Sequence, residues 1–77
     1  MTTAIAIIEK NAKGQPEART KTHKTWAAAT KAATNGEPAT IIETGIIAIP
    51  GKNSIATGRH IRTATREIWL IRICLEE

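Results

Sequence analysis

Two histidines, one cysteine, seven glutamates and the lysines are the side chains of this 77-residue chain that could carry acid–base or nucleophilic chemistry. His23 and His60 would suit a small metal-independent nuclease or toxin, with a lysine or arginine holding the phosphate. That chemistry needs a convergent geometry, which two histidines so far apart in sequence do not predict. No two glutamates have a spacing that predicts a shared site. We therefore interpret the carboxylates as surface residues and expect no enzyme and no catalytic residues.

Cofactor and metal sites are not predicted either. Cys74 lies in an apolar run and is expected in the core, where a lone cysteine behaves as a small hydrophobic residue. It has no histidine at a metal-ligand spacing. Residues 50–58 contain two glycines and a lysine, but their order differs from the phosphate-binding Gly-x-x-x-x-Gly-Lys-Ser/Thr loop. We expect a hairpin loop there, with no cofactor.

Basic side chains form the most informative pattern. Eleven Lys and Arg against seven Glu give a net charge of +4, and they concentrate in residues 10–31 and 52–72. Such charges attract phosphates or acidic proteins, although an ordinary solvated face with edge-strand lysines explains the same pattern. The predicted binding residues are Arg19, Lys21, Lys24, Lys52, Arg59, His60, Arg62 and Arg66.

The first half of the chain must position the early members of this set. β-branched residues predict a strand over 3–9, and alternating polar residues predict a second, exposed strand over 17–23, which together form a hairpin. Thr25 is a good N-cap, and Asn35-Gly36 is a left-handed stop, so a helix is predicted between them. Trp26, Ala29 and Ala33 would line its inner face.

The middle of the chain reads as a strand over 39–49, with a bulge or tight reversal at Thr44-Gly45. Pro50 and Gly51 predict a type II turn. A short extended segment over 55–57 would follow, with a break at Gly58.

Residues 60–75 fit two interpretations. As a helix, Ile61, Ala64, Ile68, Ile71 and Leu75 would share a face. As a strand, the chain would bury Trp69 and turn its arginines outward in one line. Isoleucine and tryptophan lose rotamer freedom in helices, which favours the strand.

Together these elements predict an α+β fold in a single domain over 1–77. We expect a small antiparallel sheet of four or five strands, with one short Ala-rich helix packed on one face, in the order ββαββ(β). Thirteen isoleucines supply most of the core, so most of them are expected inside. Trp26 and Trp69 are expected as core anchors rather than as platforms for stacking bases.

The amino-acid alphabet is unusual. The chain has no Val, Phe, Tyr or Asp, and Ile, Thr and Ala supply 38 of its 77 residues. An unusual natural gene and an engineered or simplified sequence both explain this bias. One cysteine excludes an intramolecular disulfide. No apolar run is long enough for a signal peptide or a membrane span, so we expect a cytoplasmic protein without membrane contact.

Two functional hypotheses follow. The first is a small non-enzymatic binding module whose basic surface engages nucleic acid or an acidic protein groove. The alternative is a protein–protein inhibitor or regulator, or an engineered scaffold without native activity, in which an exposed strand edge and an Ile-rich face do the binding. Such an edge would also allow homo-oligomers. The order of elements is similar in outline to that of many small phage or mobile-element proteins, which often bind a host machine.

Overall fold

The computed structural model describes residues 2–19 and 21–75. Its elements in chain order are β1 (Thr2–Lys10), β2 (Pro16–Ala18), α1 (Trp26–Thr34), β3 (Thr40–Ala48), β4 (Ile55–Arg62) and β5 (Glu67–Leu75). The five strands form one sheet in the order β2-β1-β5-β4-β3, and all neighbours are antiparallel. The predicted small α+β class, with one antiparallel sheet and one short helix, is confirmed.

Local caps define both ends of α1. The Thr25 hydroxyl accepts a hydrogen bond from the Ala28 N–H at 3.1 Å, which satisfies one of the free donors of the first turn. Asn35 adopts the left-handed conformation with φ 54°, and its N–H donates to the Lys31 carbonyl. Alanine is the strongest helix former, which supports so short a helix. No helix in the described part of the chain is long and apolar enough to cross a membrane.

The sheet has two faces, each with its own apolar cluster. We call the face that carries α1 the helix face and the opposite one the concave face. The helix packs on β1 and β5, where the small side chains of Ala29 and Ala33 are fully buried. The helix-face cluster contains Ile5, Ile7, Ala29, Ala33, Ile61, Ile68 and Leu70, and the concave-face cluster contains Ile47, Trp69 and Ile71.

Curvature of the sheet closes much of the concave face. The turn between β3 and β4 reaches across to β2, so a Cβ added at Gly51 would lie 2.7 Å from Cγ of Pro16. Ile8 from β1 and Ile49 from the end of β3 both pack against the Trp69 cluster. The turn itself is the predicted type II turn, because the Lys52 N–H donates to the Ile49 carbonyl and Gly51 has φ 75°.

Three local predictions are wrong. The second strand covers Pro16–Ala18 rather than 17–23, and beyond it a single bridge joins His23 to Ile5. The irregularity in β3 lies between Ile41 and Glu43, not at Thr44-Gly45. Gly58 does not break β4 but lies within it, paired with Ile71. A Cβ at Gly58 would overlap the Leu70 carbonyl oxygen, so glycine is needed for close approach of the two strands.

The prediction of one extended line of arginines over 60–75 is also wrong. The chain reverses between β4 and β5, although β5 itself is the strand that was favoured over a helix. The Thr63 N–H donates to the Arg66 carbonyl at 2.9 Å, and the Arg66 N–H donates to the Thr63 hydroxyl at 3.0 Å. A threonine side chain thus stabilises a turn that contains no Gly, Pro or Asn.

Candidate functional site

The eight predicted binding residues do not form one surface. Arg59 lies on the helix face, where it pairs across β4 and β5 with Leu70, while His60 and Arg62 lie on the concave face opposite Trp69 and Glu67. Lys52 is in the turn between β3 and β4, and Lys21 and Lys24 lie before α1, all three exposed. Arg19 follows β2, and Arg66 lies in the β4–β5 turn. Their binding role stays a prediction.

Glutamates engage three of these residues within the fold. Arg19 donates to Glu9 at 2.8 Å and to the Ala32 carbonyl at 3.2 Å. Arg66 donates to the other oxygen of Glu9 at 3.1 Å. Its second terminal nitrogen lies 3.5 Å from Oε2 of Glu37. The Nε2 atom of His60 lies 2.7 Å from Oε1 of Glu67. The arginine contacts connect β1 and α1 with the segments that follow β2 and α1 and with the β4–β5 turn. The His60–Glu67 contact joins β4 to β5. These charged side chains therefore stabilise the fold.

On the concave face, polar side chains surround Trp69. The His60 ring stacks on the Trp69 indole with centroids 4.7 Å apart and an interplanar angle of 11°. The Nζ atom of Lys10 lies over the same indole, 5.7 Å from the ring centroid. The same atom is 4.0 Å from Oε2 of Glu67. This packing covers the tryptophan, which is only 8% exposed. The expectation that Trp69 is a core anchor is therefore confirmed.

The helix face is only half covered. The alternative hypothesis predicted an Ile-rich binding face, but the sequence did not show which isoleucines form it. Helix α1 lies over β1 and β5 and leaves the helix-face side chains of β3 and of the start of β4 uncovered. Ile41 is 58% exposed, Ile46 67% and Ile55 68%. Thr57, which pairs with Ile46, and Arg72, one position beyond the Gly58–Ile71 pair, are also exposed. We call these five residues, Ile41, Ile46, Ile55, Thr57 and Arg72, the open surface.

Strand register places the open surface on one face. Ile46 pairs with Thr57, and Ile41 pairs with the buried Ile61. Arg72 pairs with Ile5 of the helix-face cluster. Side chains alternate between faces along a strand, so Ile46 points away from its buried neighbour Ile47. Most isoleucines are buried or partly buried, as expected. The exceptions are Ile41, Ile46 and Ile55, together with Ile42, which is 43% exposed at the bulge.

Cys74 does not belong to the core, contrary to expectation, because it is exposed. It follows Leu70 and Arg72 at two-residue steps along β5, so it lies on the helix face beyond the reach of α1. Within the described residues, no three side chains among His, Cys, Asp and Glu lie close enough to hold a metal ion.

Arg59 marks the border between the covered and the open halves of the helix face. Its guanidinium carbon lies 5.2 Å from the centroid of the Trp26 ring, at a distance typical of a cation–π contact. Trp26 is partly buried and packs against the helix-face cluster. Arg59 pairs across the other side with Thr44 of β3, so this cation stands between α1 and the open surface.

Comparison with known proteins finds no matching family model, no matching curated protein and no matching solved structure.

Proposed function

We propose that this chain is a non-enzymatic protein-binding module that buries its open surface against another protein. The observation that carries the proposal is the exposure of Ile46 and Ile55, each about two-thirds accessible and both on the same face. Isolated exposed apolar residues are common on proteins, whereas a contiguous group is typical of an interaction surface.

The sheet itself explains why this surface needs a partner. A sheet with an apolar face is stable when another layer covers it. Helix α1 provides that layer over β1 and β5 and extends toward β4 through the contact of Trp26 with Arg59. Burying one isoleucine side chain is worth about 1.5–3 kcal/mol. Ile41, Ile46 and Ile55 leave much of that free energy to be gained by association.

Nucleic-acid binding has weaker support as the main function. A duplex is bound by a run of cations that faces its phosphates, whereas the predicted cations lie on both faces of the sheet and in separate loops. Arg19 and Arg66 already donate to Glu9. Proteins that bind single-stranded nucleic acid usually stack its bases on several exposed aromatic rings, whereas Trp69 is buried and Trp26 is partly buried against the helix-face cluster. The preferred partner is therefore a protein, in a role such as inhibition or regulation of that protein.

Selection from a displayed library of random twelve-residue peptides tests the proposal. Peptides selected on the native chain are then measured against the double variant Ile46→Thr/Ile55→Thr, with Lys13→Thr as the control at an exposed loop position. Truncation of a hot-spot residue weakens binding by about 2 kcal/mol or more. We expect the double variant to bind at least about tenfold more weakly and the control to bind like the native chain. Equal binding by all three would overturn the proposal.

Binding to mixed-sequence DNA and RNA at low and high salt separates the two partner classes. The proposal predicts weak, non-selective binding that Ile46→Thr/Ile55→Thr does not change. Tight binding at low salt that falls steeply as salt rises, in the absence of any peptide ligand from the library, would replace a protein partner with nucleic acid.

A further inference from the structure

The open surface combines apolar side chains with positive charge. Arg72 is exposed within it, and Arg59 stands at its border with α1. The carboxylates of β3 and β5 point the other way, since Glu43 pairs with His60 and Glu67 pairs with Arg62 on the concave face. Glu9 and Glu37 belong to the arginine contacts at the opposite end of α1. Among the described strand residues, no carboxylate therefore lies on the open surface.

We infer that the element of the partner protein that occupies the open surface is an acidic amphipathic helix lying beside α1. This inference rests on the proposed function and adds the charge and shape of the ligand. The apolar stripe of this partner helix would cover Ile46 and Ile55, and the carboxylates of the helix would contact Arg72 and Arg59.

The dimensions of the uncovered region fit one helix. Strands β3 and β4 are neighbours at the edge of the sheet, and two strands span about 10 Å across a sheet. A helix with its side chains is about 10–12 Å in diameter. The nine residues of β3 extend about 30 Å, the length of a helix of about 20 residues. A second helix would complete the layer that α1 begins.

The edge of β3 is less suited to an added strand. The Ile49 N–H bonds to the Ser54 carbonyl of the facing strand, so by alternation the backbone groups of Thr44, Ile46 and Ala48 point outward. However, a bulge interrupts β3 between Ile41 and Glu43, and Glu43 is exposed. Bulges and charged residues at an edge are features that discourage strand pairing. The face is therefore the better docking surface.

A second copy of the chain is a poor occupant for electrostatic reasons. Face-to-face association of two open surfaces would bring Arg72 and Arg59 of each copy toward the same cations of the other. The whole chain also carries a net charge of +4. Like charges brought together across an interface are destabilising, and an acidic partner gains attraction from the same residues.

Three synthetic 18-residue helical peptides test the inference. The first carries a leucine stripe flanked by glutamates, the second replaces the glutamates with lysines, and the third keeps the glutamates but replaces the leucines with serines. Affinities are measured by fluorescence anisotropy on the native chain and two variants. Arg72→Glu reverses the charge of the open surface, and Arg62→Glu makes the same change at an exposed position on the concave face.

We expect the leucine–glutamate peptide to bind the native chain about tenfold or more tightly than either other peptide. Arg72→Glu should reverse the preference toward the lysine peptide, whereas Arg62→Glu should change it by less than about threefold. Peptide circular dichroism should show helix in the complex.

Other outcomes overturn the inference separately from the proposed function. If the glutamate and lysine peptides bind the native chain with equal affinity and neither binds Ile46→Thr/Ile55→Thr, the result contradicts an acidic partner but still supports the open surface as the binding surface. Slowed amide exchange at Thr44, Ile46 and Ala48 with an extended peptide would establish strand addition instead of a helix. If none of the three peptides binds, while library peptides bind and require Ile46 and Ile55, the inference is overturned and the proposed function stands.

Discussion

Arg66 donates a hydrogen bond to Glu9 at 3.1 Å across 57 positions of sequence. The same carboxylate also accepts from Arg19 at 2.8 Å. Glu9 thereby joins the first strand to the turn that precedes the last strand and to the segment after β2. Two residues predicted to bind an external acidic partner are instead satisfied by an acidic residue of the chain itself.

Glu9→Gln is expected to destabilise the fold by about 1–3 kcal/mol, because hydrogen bonds to a charged group are stronger than those to a neutral amide. In a domain of this size, each 1 kcal/mol lowers the melting temperature by about 4–8 °C. Thermal unfolding followed by circular dichroism measures the change. Glu43→Gln, at an exposed position on β3, is the control and should unfold close to the native temperature. Equal melting temperatures for both variants would contradict a stabilising role for Glu9.

Gly58→Ala is expected to be more destabilising than substitution of a glycine with positive φ. The added methyl group would overlap the backbone oxygen of Leu70. Because backbone cannot rotate aside as a side chain can, we expect a cost of about 3 kcal/mol, at the top of the usual range for overpacking. Gly14 has φ 78° with no atom within 4 Å of a built Cβ, so Gly14→Ala should cost about 1–2 kcal/mol from backbone strain alone. Urea denaturation gives both free energies of unfolding. A smaller loss for Gly58→Ala would mean that β4 and β5 separate easily.

Neighbouring isoleucines on β3 should differ sharply in their effect on stability. Ile47→Thr removes a side chain that is 2% exposed and should cost about 2–4 kcal/mol. Ile46→Thr should change the free energy of unfolding by less than about 0.5 kcal/mol, because its side chain remains in solvent. Urea denaturation of both single variants checks this. Equal losses would show that Ile46 is buried in solution.

The Cys74 thiol should react with a water-soluble disulfide reagent in the native protein. It is exposed on the helix face, whereas a core cysteine would react only after unfolding. Absorbance of the released thiolate gives the stoichiometry and the rate, with the protein in denaturant as the reference for full reactivity. One equivalent released at a rate near that reference is expected. Release only in denaturant would place Cys74 in the core, as the sequence alone suggests.

Local signals predicted the parts of this fold that depend on neighbouring residues. Cap residues Thr25 and Asn35 lie at the two ends of α1, and Pro50-Gly51 forms the expected turn. The β4–β5 turn was missed because its stabilising group is the Thr63 hydroxyl, and threonine is a common strand residue. Without that turn, arginines on two different strands and a loop were placed in a single line.

An Ile-rich binding face was predicted as the alternative, but its residues could not be identified from the sequence. Ile46 and Ile47 are adjacent on a strand, so they must point to opposite faces. One nine-residue helix cannot cover a whole face of a five-stranded sheet. Those two facts together imply exposed isoleucines, but they become informative only when strand order is known. The sequence does not fix that α1 lies over β1 and β5 rather than over β3 and β4.

Chemical-shift mapping with a peptide selected from the library tests the central claim most directly. The isoleucine methyl groups and the arginine side-chain resonances of the native chain are followed during titration. We expect the largest changes at Ile41, Ile46 and Ile55, with a smaller change at Arg72. Changes concentrated at Lys52, His60 and Arg62, with the isoleucine methyl groups unaffected, would contradict the account and place the binding surface on the cations of the concave face and the β3–β4 turn.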